Sequence, residues 1–233
     1  HIPTVLFNGM IKPLLPYGIK GAIWYQGESN AHGDAATEYA ELFSTMIRQW
    51  RRSWGGEKFP FLFVQLPEFK PGGTDWCHLR ESQRQTTLRT INTGMVTIFG
   101  YGNPDNIHPK QKEPVGKRLV SAAQVLAYGQ NATWSGPVLV DARAQDGAVC
   151  LSFDNIDGGL ATKDDDLEGF ELSADGENWE EAEARIQGEN VIVSHPDMPE
   201  PAHVRYGWEA VPDIGLVNDE GLPASPFIEK VDR

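Results

Sequence analysis

The sequence predicts a mixed α/β chain: a parallel sheet layered with helices over residues 1–135, then an antiparallel β-sandwich over residues 136–233. Three observations carry this reading. In the first part, strand-length apolar runs alternate with amphipathic segments. In the second, short β-branched and aromatic runs are separated by Asp-Gly turns. Charge also changes sign between them. Residues 1–135 hold 14 Lys and Arg against 10 Asp and Glu, a net of +4; residues 136–233 hold 6 against 23, a net of −17.

Residues 20–25 read as a short buried strand between Gly18 and Gly27. Residues 34–54 read as a helix, because Tyr39, Leu42, Phe43, Met46, Ile47 and Trp50 recur at spacings of three and four. Asp34 is the expected N-cap, and Arg48, Arg51 and Arg52 suit the negative end of the helix dipole. Strands are then predicted at 59–66 and 95–99, and helices at 79–90 and 115–128. Trp50, Trp54, Phe59, Phe61 and Phe63 are expected in packing roles. In the second part, strands are predicted at 138–140, 148–153, 169–173, 191–194 and 202–208. Trp179, Trp208 and Tyr206 are read as sandwich core, with sugar stacking as the alternative. The acidic run at 163–166 reads as a solvated loop, since it lacks the alternating Asp/Asn spacing of a calcium loop.

The 233 residues carry a net charge of −13, which argues against non-specific nucleic-acid binding. No apolar run approaches the roughly 20 residues of a membrane helix. Two cysteines, Cys77 and Cys150, are too few for a disulfide scaffold or a Cys-rich zinc site, and His78, His195 and His203 show no ligand spacing with them. No metal or cofactor is expected. Asn131-Ala132-Thr133 has the form of a glycosylation acceptor.

Two clusters suggest chemistry. Trp24-Tyr25-Gln26-Gly27-Glu28-Ser29-Asn30 follows a predicted strand and precedes a helix, the position at which open α/β sheets bind ligands. Gly27 permits a close backbone approach, and Gln26 and Asn30 carry amide donors suited to an oxyanion. Asp105 and His108 lie three apart in a proline-bounded loop after the third strand, a spacing at which a carboxylate can orient an imidazole.

Four motifs occur in a fixed order: Phe7-Asn8-Gly9-Met10-Ile11, the Trp24 to Asn30 block, Leu79-Arg80-Glu81-Ser82-Gln83, and Asn106-Ile107-His108-Pro109-Lys110-Gln111-Lys112. Together they resemble the sialate O-acetylesterase family of SGNH/GDSL hydrolases, whose relatives include xylan deacetylases. Arg205-Tyr206-Gly207-Trp208 and the segment from Gly221 to Phe227 resemble that family's C-terminal β-domain.

The resemblance implies a partial SGNH-type three-layer domain over 1–135 and a β-sandwich over 136–233. It implies His108 as catalytic histidine and Asp105 as its acid, although members often carry an acid where this chain has Asn106. Gln26, Gly27, Glu28 and Asn30 would serve the oxyanion or substrate, with Arg80 and Gln83 lining or shaping the site. The family's nucleophile block reads Gly-Gln-Ser-Asn, which this chain lacks; Gly27-Glu28-Ser29-Asn30 comes within one residue, making Ser29 the alternative nucleophile. The chain begins with His1 and is expected to be the later part of a larger enzyme, with the serine on an N-terminal segment or partner chain. The expected substrate is an acetylated carbohydrate, and the expected compartment is exported or lysosomal. The competing expectations are an acetyl xylan esterase and a non-catalytic carbohydrate-binding protein on the same fold.

Overall fold

The computed structural model describes residues 4–56, 58–163 and 167–233. His1 and most of the acidic run at 163–166 therefore lie outside the described residues.

In the first part β1 (Ala22–Trp24), β2 (Phe61–Val64) and β3 (Thr93–Val96) form a parallel sheet in the order β1-β2-β3. Helices α1 (Gly33–Ser53), α2 (Gly73–Arg89) and α3 (Glu113–Leu126) connect or follow these strands. All four β2 residues are buried, so its unbroken apolar run is that of a strand covered on both faces. Alternate side chains divide between two cores. Phe61, Phe63 and Met95 pack with Tyr39, Phe43, Ile47, Trp76 and Leu79 from α1 and α2. Leu62, Val64 and Val96 pack with Val115 and Ala122 from α3.

Strand β1 breaks this pattern. Ile23 pairs in register with Leu62, yet it is 68% exposed while Leu62 is buried. A groove of about 350 Å³ opens beside it, lined by Ile19, Ile23, Leu62, Ala123, Ala127 and Tyr128. The outer edge of β1 pairs with no strand among the described residues.

Several local expectations change. His32 occupies the N-cap of α1, and Asp34 falls in the first turn. The free amide of Gly33 is taken instead by Asp75 Oδ2 of α2, at 3.0 Å. Arg51 is buried and clamps Phe59 O, Ile91 O and Asn92 O at 3.1, 2.8 and 2.7 Å, so it closes loops and does not serve as a surface dipole charge. Helix α2 starts at Gly73, six residues before the predicted 79, because its buried side is largely polar (Arg80, Ser82, Gln83, Arg84, Thr86) and gives no apolar periodicity.

The second part contains β4 (Val138–Gln145), β5 (Ala148–Asp154), β6 (Leu160–Thr162), β7 (Phe170–Ser173), β8 (Glu180–Glu181), β9 (Glu183–Gln187), β10 (Asn190–Ser194), β11 (His203–Tyr206), β12 (Leu216–Asn218) and β13 (Phe227–Lys230). They form antiparallel sheets in the orders β4-β5-β10-β9 and β13-β11-β7-β8, with β12 and β6 as a separate pair. Leu139, Val149, Leu151, Val191 and Val193 of the first sheet share one core with Phe170, Leu172, Val204, Tyr206 and Phe227 of the second. The β4–β5 hairpin turns at Asp146 and Gly147, both at positive φ, the conformation a primed turn requires. Tyr206 is core, its hydroxyl accepting the Leu216 amide at 2.9 Å and its acidity lowered by burial. Trp179 is half-buried outside the shared core, under the Arg205 guanidinium (4.3 Å), and Trp208 stands edge-on to His78.

The two parts are joined through buried polar groups. Arg84 pairs with Glu81 and Glu229, both at 2.8 Å, and donates to Leu139 O at 3.2 Å. Gln65 Nε2 donates to Ser225 Oγ at 2.9 Å. The crossing at 135–137 is itself buried: Asn218 Nδ2 donates to Ser135 O at 3.0 Å, and a Cβ on Gly136 would fall 2.1 Å from Pro223 O. No described helix is long and apolar enough to cross a membrane.

Candidate active site

Three loops leave the carboxyl ends of the parallel strands: 25–32 after β1, 65–72 after β2 and 97–112 after β3. They contain most of the residues singled out from the sequence.

The first loop forms a compact amide network. Gln26 Nε2 donates to Asn30 Oδ1 at 2.9 Å. The Tyr39 hydroxyl, on α1, stands 3.0 Å from Gln26 Oε1 and 3.2 Å from Gln26 O. Gln83 Nε2, on α2, donates to Gln26 O at 3.3 Å and to Val64 O at 3.2 Å, while Gln83 Oε1 accepts the Leu66 amide at 2.9 Å. Gln83 therefore ties the ends of β1 and β2 together and has no donor left for a ligand. Gly27 is buried against α2; a Cβ there would meet Leu79 Cδ2 at 2.7 Å. Among the described residues the Gly27 N–H and Asn30 Nδ2 donate to no protein atom, and Gln26 Nε2 retains a second hydrogen. Three donor groups are thus available within five residues.

Tyrosines and acids surround this network. Burial pushes Tyr39 up to about 12; the Glu28 charge adds to the rise and the Trp24 indole donation opposes it. Tyr25 is also pushed to about 12, by burial first and then by the Glu28 and Glu68 charges. Lys112 Nζ sits 4.8 Å from the Tyr25 ring centroid, linking the third loop to the first. Ser29 is exposed in a short 3₁₀ turn (Glu28–Asn30) and bonds to no histidine among the described residues.

The third loop is built of two Asx turns. Asn103 Oδ1 accepts the Asp105 amide and Asn106 Oδ1 accepts the His108 amide, both at 2.9 Å. Ile107 packs into the core beside it and Pro109 is buried, leaving Asp105 and His108 exposed. No hydrogen bond joins the Asp105 and His108 side chains among the described residues, and both residues are exposed.

The second loop supplies what the sequence did not mark. Glu68 Oε1 accepts the Gly100 amide at 2.5 Å and Oε2 accepts the Gly102 amide at 3.1 Å. Arg80, expected to line or shape the site, is fully buried behind this loop. Its guanidinium donates to Leu66 O (2.9 Å), Pro67 O (2.6 Å), Glu209 O (2.7 Å) and Ala210 O (3.0 Å), and lies 5.0 Å from the Phe99 ring centroid. Burial lowers it to about 10, and it faces backbone carbonyls, not a ligand. No group of three His, Cys, Asp or Glu among the described residues is arranged to hold a metal ion.

Residues 6–125, more than half of the chain, match the family described as carbohydrate esterase, sialic acid-specific acetylesterase. The chain is 27% identical over 260 residues to the mouse sialate O-acetylesterase, covering 98% of this chain and 47% of that protein. It is 28% identical to the human sialate O-acetylesterase over 257 residues, covering 97% and 48%. It also superposes on the crystal structure of a carbohydrate acetylesterase from Xanthomonas citri with a TM-score of 0.92 and 42% identity, covering 98% of this chain and 54% of that one. The chain thus spans about half the length of the proteins it matches. By the match over residues 6–125, it belongs to the sialic acid-specific acetylesterase family of carbohydrate esterases.

Proposed function

We propose that this chain is the later portion of a carbohydrate O-acetylesterase that hydrolyses acetyl esters on sugars such as sialic acid. In this reading residues 1–135 complete part of an SGNH-type domain and residues 136–233 form a β-sandwich against it. The carrying observation is the set of unused donors at Gly27, Gln26 and Asn30, on the strand ends beside the loop that presents His108.

The nucleophile is a serine on a segment outside this chain. The uncovered Ile23, its apolar groove and the open edge of β1 support that part of the reading, because parallel sheets have both faces covered and a further strand and helix fit there. The serine Oγ attacks the acetyl carbonyl carbon while His108 takes its proton. The amides near Gln26 and Gly27 receive the oxyanion. Collapse expels the sugar oxygen, which takes the proton back from His108. Water then attacks the acyl-serine carbonyl as His108 takes its proton, and His108 returns that proton to the serine Oγ as the acyl–oxygen bond breaks and acetate leaves. Asp105 orients the imidazolium once substrate and serine close the site. An acetylated glycan as substrate supports the reading of an exported or lysosomal compartment.

The test is an active-serine phosphonate probe on the full-length protein. Labelling at a serine outside residues 1–233, blocked by acetylated sugar, supports the proposal. Labelling at Ser29 makes the chain self-contained, and no labelling with no acetate release makes it a carbohydrate-binding protein.

A further inference from the structure

We infer that Glu68 is the positioning residue for His108. The inference rests on the reading of His108 as the proton carrier. The loop between the buried residues Phe99 and Pro109 is shaped internally by the turns at Asn103 and Asn106, while its position on the fold depends on what holds it from outside. Ile107 packs into the core and Arg118 lies over the Tyr101 ring, but the hydrogen bonds that anchor the loop from outside come from one short segment. Lys70 N donates to Pro104 O at 2.8 Å, and both carboxylate oxygens of Glu68 receive loop amides, those of Gly100 and Gly102. Glu68 supplies the side-chain part of this clamp, and hydrogen bonds from backbone N–H to a carboxylate are about twice as strong as neutral ones.

The loop is shaped to receive that carboxylate. Gly100 has φ +86, and a Cβ on Gly102 would lie 2.2 Å from Glu68 Oε2 and 2.8 Å from Glu68 N. The segment carrying Glu68 is held in turn: Arg80 binds Leu66 O and Pro67 O, and Phe69 N donates to Ala210 O at 3.1 Å. The Glu68 charge also adds to the rise of the Tyr25 phenol in the first loop. Losing the clamp changes the distance between the proton carrier and the oxyanion donors, and a displacement of about 1 Å can cost roughly 100-fold in rate.

The experiment uses the full-length enzyme with 4-nitrophenyl acetate, comparing Glu68→Gln, Gly102→Ala, His108→Ala and the Glu68→Gln/His108→Ala pair. Gln keeps the shape but sets an NH₂ against one of the two amides. Glu68→Gln and Gly102→Ala should each lower kcat roughly 10- to 100-fold with KM within about twofold, and Glu68→Gln should add no loss to His108→Ala. A kcat within about twofold of the parent, or a loss that multiplies with that of His108→Ala, overturns the inference. Amide hydrogen exchange reads the clamp without reference to activity. Glu68→Gln should abolish protection at Gly100 and Gly102 while α2 stays protected; unchanged protection there overturns the inference. Full activity in His108→Ala would refute the proposed mechanism, with exchange still deciding whether Glu68 is the clamp.

Discussion

Arg80 donates to the carbonyl of Glu209 at 2.7 Å, joining α2 to a loop 129 residues later in the sequence. The same guanidinium holds Leu66 and Pro67 at the head of the site loop, so one buried side chain fixes both parts of the molecule.

Arg80→Met should therefore destabilise the fold by about 3 kcal/mol or more, because several carbonyls lose partners that water cannot replace. Arg80→Lys should rescue little, since an ammonium cannot reproduce the planar fork. Urea unfolding followed by tryptophan fluorescence checks this, and an unchanged midpoint for Arg80→Met would contradict it.

Tyr39→Phe removes the hydroxyl that reaches Gln26 Oε1 and O while leaving the ring packed on Phe43. The expected cost in stability is about 1 kcal/mol, the ordinary value of one hydrogen bond. In the full-length enzyme kcat should fall about tenfold with KM little changed, as the Gln26 amide loses its orientation. Steady-state kinetics with an acetylated sugar distinguishes this from a loss of binding.

Alkaline stability follows from Tyr25 and Tyr39. Burial leads the rise of both phenols to about 12. A folded value raised above the unfolded one of about 10 means the contribution is complete below pH 10 and is lost as pH rises towards 12. Each group steepens the decline by up to about 1.4 kcal/mol per pH unit in that window. Absorbance at 295 nm should show three phenols, those of Tyr25, Tyr39 and Tyr206, resisting ionisation until the fold is lost, and Tyr39→Phe should remove one of them.

Ile23 supplies a test of the open edge. Ile23→Lys should leave the thermal midpoint of this chain within about 1 °C and raise its solubility, since the side chain is largely exposed. In the full-length protein the same change should destabilise by about 2 kcal/mol or more, since it places a charge in a covered sheet face. Equal effects in both would mean that nothing covers β1.

Much of the parallel sheet was legible in sequence because its signal is local. Phe61–Val64 is an unbroken apolar run, and Tyr39, Phe43 and Ile47 mark one helix face. Helix α2 was cut short because its buried face is built of Arg80, Gln83 and Arg84, whose value lies in distant partners. Strands β8 and β9 were missed since Glu180, Glu181 and Glu183 have weak strand preference and lie on exposed edges. In the candidate site, the grouping of Gln26, Gly27 and Asn30 after β1 was readable because those residues are neighbours in sequence. Glu68 was not, because a single acid after a strand means nothing until Gly100 and Gly102 are folded against it. Asp75 capping α1 from 42 residues away is the same case.

The most direct measurement is acetate release from an O-acetylated sialic acid by the full-length enzyme carrying His108→Ala. Loss of the proton carrier should lower kcat by roughly 100- to 10,000-fold while the protein stays folded. A kcat within about twofold of the parent enzyme would contradict the assignment of His108 and the mechanism built on it.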